Sequence, residues 1–187
     1  MSKHKAVAVR LATMERKRGT FVVTHADDAT AVLRDAEDGQ VHTMQENPDV
    51  TAGDVIEATV EPAPPTGTAW EVIEVDERRT VSVERSGEPP TRHERDVAAD
   101  QAVGELTRVE RAGTGELHVL TVPEDHVEAA VSDVLDDEEG LLARAARLGI
   151  GRVEVRAVEV DPTDGQGADG DGEAAEKYGV VSVRYLP

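Results

Sequence analysis

Cysteine is absent from this chain, which excludes disulfides and every thiolate-ligated zinc or iron–sulfur site. Aromatic residues make up 2% of it: one Phe, one Trp and two Tyr. A core must therefore be assembled from Val, Leu and Ala, and the clustered valines favour strands. Lysine is nearly missing. Lys3, Lys5, Lys17 and Lys177 stand alone among 20 basic residues, the rest being arginine. No run approaches the roughly 20 apolar residues of a membrane helix. The basic N-terminus lacks an apolar stretch behind it, so no secretory signal is expected and the chain reads as soluble and cytoplasmic. A Walker loop, a Gly-x-Gly-x-x-Gly fingerprint, a Gly-x-Ser-x-Gly elbow and a His-x-x-x-His pair are also missing. The sequence thus implies no cofactor and no metal, and it argues against an enzyme without excluding one.

What is there is acid. The formal net charge is −19 over 187 residues. Like charges at that density repel one another and destabilise a compact state, unless high ionic strength screens them. Disorder or a basic partner could also account for such acidity. Clear apolar periodicity argues against disorder, so the composition is read as fitted to a high-salt cytoplasm.

The stretch from Leu117 to Val160 is the best specified. Leu117 to Val122 is a short apolar strand, and Pro123 is expected at the first position of a helix. Val127, Ala130, Val131, Val134 and Leu135 follow the spacing of one helical face. Asp136 and Asp137 interrupt it and can cap a second helix, striped by Leu141, Leu142, Ala145 and Leu148 and ended by Gly149. A strand with Val153, Val155, Val158 and Val160 closes the unit. Residues 179–186 alternate again and are expected to pair antiparallel with it.

Upstream, residues 19–85 read as all-β. Strands are expected at Thr20 to His25, Ala31 to Asp35, Gln40 to Met44, Val55 to Glu61, Trp70 to Val75 and Thr80 to Glu84, separated by turn signals such as Asp38-Gly39 and Asn47-Pro48. The spacing suggests a small closed barrel, OB-like in its Gly53-Asp54-led strand. Thr91 and Glu94 form a capping box for a helix expected to reach about Val103. The fold class is therefore α+β. A flexible basic tail at 1–18 precedes a small β-barrel domain at 19–87. An α+β domain at 91–187 follows, its sheet mostly antiparallel and covered by helices. An acidic Gly/Asp-rich loop occupies 161–178 and lacks the ligand order of a calcium loop.

Three runs resemble a family of uncharacterised proteins from halophilic archaea: Gly19-Thr20-Phe21-Val22-Val23-Thr24-His25-Ala26-Asp27, Glu116-Leu117-His118-Val119-Leu120-Thr121-Val122-Pro123, and Val181-Ser182-Val183-Arg184-Tyr185-Leu186-Pro187. The resemblance implies a high-salt setting. It implies no activity, so no catalytic residue is carried over.

Two constellations compete for a function. Arg78, Arg79, Arg85, Arg92 and Arg95 lie within eighteen positions of an acidic chain. They are the candidate binding residues, able to grip phosphate or an acidic partner at the boundary between the domains. Against that stands simple ion pairing with neighbouring glutamates. His25 and His42, with Asp27 and Asp28 nearby, are the candidates for a small hydrolase-like enzyme. The acid run from Asp136 to Glu139 reads as a helix start, where carboxylates favour the N-terminal dipole. The sequence thus points to a non-enzymatic binding or adaptor module for nucleic acid or a protein, with that enzyme as the alternative.

Overall fold

The computed structural model describes residues 16–110, 115–161 and 177–187. The expectations for the tail before residue 16 and for the acidic loop at 162–176 lie outside them. Among the described residues, ten strands form two five-stranded sheets, and three helices accompany the second. The first sheet holds β1 (Lys17–Ala26), β2 (Ala31–Asp35), β3 (Val41–Thr43), β4 (Asp54–Pro62) and β5 (Trp70–Thr80), in the order β3-β2-β1-β4-β5. All its ladders are antiparallel. No closed barrel is found among the described residues. The edge strands β3 and β5 meet at a single parallel bridge, Met44 with Trp70, where the Gln45 N–H donates to the Trp70 carbonyl at 2.8 Å. A three-residue β3 offers too few backbone groups to build a ladder there.

The second sheet holds β6 (Ser82–Arg85), β7 (Leu106–Glu110), β8 (Glu116–Pro123), β9 (Arg152–Val160) and β10 (Tyr178–Leu186), in the order β6-β9-β10-β8-β7. β6 corrects an expectation. Its position in the chain assigns Thr80 to Glu84 to the first set of strands, but the chain leaves β5 at Val81 and β6 pairs parallel with β9. Its four residues carry no periodicity strong enough to show which sheet they join. The hairpin of β9 and β10 forms as the alternation predicts, with Val153 opposite Tyr185.

Period-two alternation gives the second sheet two buried faces. On one, Val153, Val155, Val181, Val183 and Tyr185 pack under α2 (Val127–Asp136) and α3 (Glu138–Leu148) through Val131, Leu141, Leu142 and Ala145. Val22 and Val55 of the first sheet belong to the same cluster, so α3 is packed between the sheets. On the other face, Leu117, Val119 and Val180 pack against Ala98 of α1 (Arg92–Ala99). The opposite face of the first sheet buries Phe21, Val23, Leu33, Ile56, Ala58 and Val60 completely.

Local signals behave as physics asks. Thr91 and Glu94 complete the capping box of α1. Asp137 accepts from the Gly140 N–H at the start of α3, and Gly149 ends it in the left-handed region at φ 68°. Two differ. Pro123 ends β8, and a 3-10 turn at Glu124–His126 precedes α2. α1 stops at Ala99, leaving Val103 half exposed, and the chain beyond it bonds to β8 instead, through the Gln101 amide to the Val119 carbonyl and the Gly104 N–H to the Thr121 carbonyl.

Candidate functional site

The five boundary arginines are placed on different elements and are mostly engaged. Arg78, on β5, binds Asp54 at 2.7 Å and the Thr51 hydroxyl at 3.2 Å. Arg79, next along, turns the other way and donates to Glu77 and to the Ala146 carbonyl of α3, both at 3.2 Å. Arg85 forms a two-pronged bond with Glu128 of α2, at 2.8 and 2.6 Å. Arg92 and Arg95 sit on α1, against the other face of the second sheet. Arg95 donates to the Pro90 carbonyl, and Arg92 only approaches Asp96 at 3.8 Å. They therefore do not form one continuous surface.

Nor are the two candidate histidines brought together. His25 is exposed and lies 3.7 Å from Asp27. His42 is 3% exposed, inside the first sheet, with ring centroids 5.7 Å from Phe21 and 4.4 Å from Trp70. Neither of its ring nitrogens has a hydrogen-bond partner among the described residues, and burial lowers its pKa. A neutral imidazole packed edge-on between aromatics is a core residue here, with no carboxylate bonded to it to raise its basicity.

The side chains that do converge are ones the sequence did not single out. Between α2, α3 and the β7-β8-β10 part of the second sheet lies a cleft of about 520 Å³. Leu106, Leu120, Val134, Leu141, Val181 and Val183 supply its apolar wall. Arg108, His118, Arg144, Arg147 and Tyr185 supply polar groups, and Asp133 and Asp137 also line it. Alternation on each strand places these residues: Arg108 is registered opposite His118 across β7 and β8, while Tyr185 comes from β10, the neighbour on the other side.

Glu116 organises this end of the cleft. It accepts from Arg144 Nε at 2.9 Å, and its other oxygen takes a second bond from the same guanidinium. His118 Nε2 lies 2.9 Å from Glu116 Oε2. Arg144 holds the Glu116 carboxyl below its usual range and is itself raised by that bond. Burial lowers the His118 pKa despite the carboxylate beside it. Burial also raises the Tyr185 hydroxyl to about 12, and its ring lies 5.0 Å from that of His118. The result is a fixed guanidinium and a neutral imidazole behind an apolar wall, an arrangement suited to orienting a small polar head. Among the described residues no group of three or more His, Asp or Glu could hold a metal ion. The signal that could have located the cleft was the pairing of Arg108 with His118 across β7 and β8, but α3, which supplies Arg144, is positioned only by tertiary packing.

The model of a family of unknown function (DUF5812) matches residues 17–157, and the chain belongs to that family. No curated protein and no solved structure matches it.

Proposed function

We propose that this member of a family of unknown function is a non-enzymatic binding module, and that its ligand is a small molecule held in the α2–α3 cleft of the second sheet. The observation that supports this most is the cleft itself. Its volume of about 520 Å³ lies within the roughly 300–1,000 Å³ typical of small-molecule sites. Its lining combines an apolar wall with a few fixed polar groups, as such sites do. We read the first sheet as an open, OB-like scaffold whose edges touch at one bridge and against which α3 is braced. We place the protein in a cytoplasm of high salt, on the strength of its charge and its scarcity of lysine. No helix among the described residues is long and apolar enough to cross a membrane.

A thermal-shift screen of small metabolites, run in molar potassium chloride, tests the reading. Hits should stabilise the native chain and not an Ala130→Trp variant, whose indole would fill the cleft. Equal stabilisation of both would place the site elsewhere.

A second reading keeps Arg78, Arg79, Arg85, Arg92 and Arg95 as contacts for nucleic acid or an acidic protein. It is favoured by Arg92, whose side chain is 89% exposed and has only a loose partner. Replacing Arg79 and Arg92 with Ala would weaken such a complex and leave small-molecule binding unchanged.

A further inference from the structure

Fourteen of the arginines fall within the described residues, and eleven of them have a carboxylate within ion-pair distance. That is the expected outcome in a chain with 39 acids. The exceptions are Arg95, Arg108 and Arg147. Arg95 and Arg147 each donate to a backbone carbonyl, of Pro90 and Ala36 respectively. Arg108 has neither a carboxylate nor a carbonyl partner among the described residues. Two of the three exceptions, Arg108 and Arg147, line the same cleft. The cleft also contains Leu106, one of five large apolar side chains left exposed among the described residues, at 48%. An unmatched guanidinium and an uncovered leucine thus lie on one strand, two residues apart, with Leu106 opposite Leu120 and Arg108 opposite His118.

We infer that the cleft takes an amphipathic anion: a carboxylate or phosphate monoester whose head binds Arg108 beside His118 and whose apolar body covers Leu106 and Leu120. The inference rests on the small-molecule reading above. A guanidinium offers parallel N–H donors that match the two oxygens of such a head. Arg144 is already neutralised by Glu116, so it fixes the floor of the head site, and Arg147 is held by the Ala36 carbonyl, which leaves Arg108 as the cleft guanidinium with neither a carboxylate nor a carbonyl partner among the described residues. Asp133 and Asp137 add negative charge to the α2–α3 side, so the head lies away from them, at the Arg108–His118 pair, and the body along the Leu106–Leu120 pair next to it. The occupant proposed is a free small molecule, a short chain or ring system matched to a cleft of about 520 Å³.

Titration calorimetry of the full chain in molar potassium chloride provides the test, with octanoate, octyl phosphate, octanol and acetate as probes. Octanoate and octyl phosphate should bind saturably at one site, octanol and acetate at least tenfold more weakly. Arg108→Gln should weaken octanoate about tenfold or more, the loss expected when one charged hydrogen bond is removed. Arg108 is exposed and has no carboxylate to leave behind, so that variant should fold, which circular dichroism checks. Leu106→Gln should remove the advantage of octanoate over acetate. If octanol binds as well as octanoate and Arg108→Gln changes nothing, the cleft binds small molecules but the anion is wrong. If no probe binds and none shifts the NMR signals of His118, the small-molecule reading falls with it. Sedimentation with anionic vesicles, without response to any soluble probe, would replace the free ligand by a lipid surface.

Discussion

Tyr185 is buried to 3% exposure in a chain almost without aromatics, and its hydroxyl is raised to about 12. A raised acid pKa keeps the folded state protonated after the unfolded chain has begun to ionise near 10. Stability from this group is complete below about 10 and is lost as pH rises toward 12. Tyr185→Phe should abolish that alkaline limb in urea midpoints measured between about pH 9 and about pH 12. His42 and His118 act at the other end. Burial lowers both, so the unfolded chain binds protons first, and stability should fall as pH drops below about 6.5. Glu116, held low by Arg144, extends the loss further into acid. Glu116→Gln leaves the half-buried Arg144 without its counter-ion and should cost about 1.5–3 kcal/mol by urea denaturation near neutral pH. None of this was legible in the sequence. Glu116, His118, Arg144 and Tyr185 come from three elements, and no spacing along the chain announces a cluster that only packing assembles.

Elements were far more legible than the site they build. The α2–α3 pair, the β9–β10 hairpin and the capping box were all readable because each rests on a local rule: a 3.6-residue stripe, alternation, or a side-chain cap. The places where reading stopped are those where neighbours decide. β6 is too short to carry a pattern, and α1 ends where bonds from Gln101 and Gly104 to β8 take over. One glycine shows how neighbours constrain an element. Gly179, on β10, is buried where Val127 begins α2, and a Cβ there would collide with Val127 and come within 2.9 Å of Val122. The helix can cross the strand that closely only because that position has no side chain. Gly179→Ala should therefore cost about 1–3 kcal/mol through overpacking. Thr91→Ala, by contrast, removes one helix cap and should cost about 1 kcal/mol. Chemical denaturation of the two variants side by side should rank them in that order.

At the scale of the molecule, the negative excess sets the conditions under which the fold persists. Arginines are tied up in pairs such as Arg85–Glu128 and Arg34–Glu139, and surplus carboxylates remain on the surface. Their mutual repulsion decays with the Debye length, about 30 Å at 0.01 M salt and about 3 Å at 1 M. The thermal midpoint should rise substantially between dilute buffer and molar potassium chloride. An unchanged midpoint would remove the high-salt proposal. The same charge repels polyanions at long range, so the anion site proposed above would have to work by close contact inside its cleft.

The order of the second sheet has a consequence for how the chain is made. β10 lies between β9 and β8, yet it follows both in the chain, and β6 waits for β9. During synthesis, β6 emerges unpaired and the β7–β8 pair keeps the β8 edge that will receive β10 open, while the local ladders of the first sheet can already close. A lone hairpin is marginal in water. A nascent chain arrested just before β9 should therefore show protected amides in β1, β2 and β4 and little protection in β8. Firm protection of β8 should appear only once β10 has cleared the ribosome, with the cleft forming in the same step. In the interval the inner edge of β8 stands open to any other growing chain, so the exposed stage for this fold is its own translation.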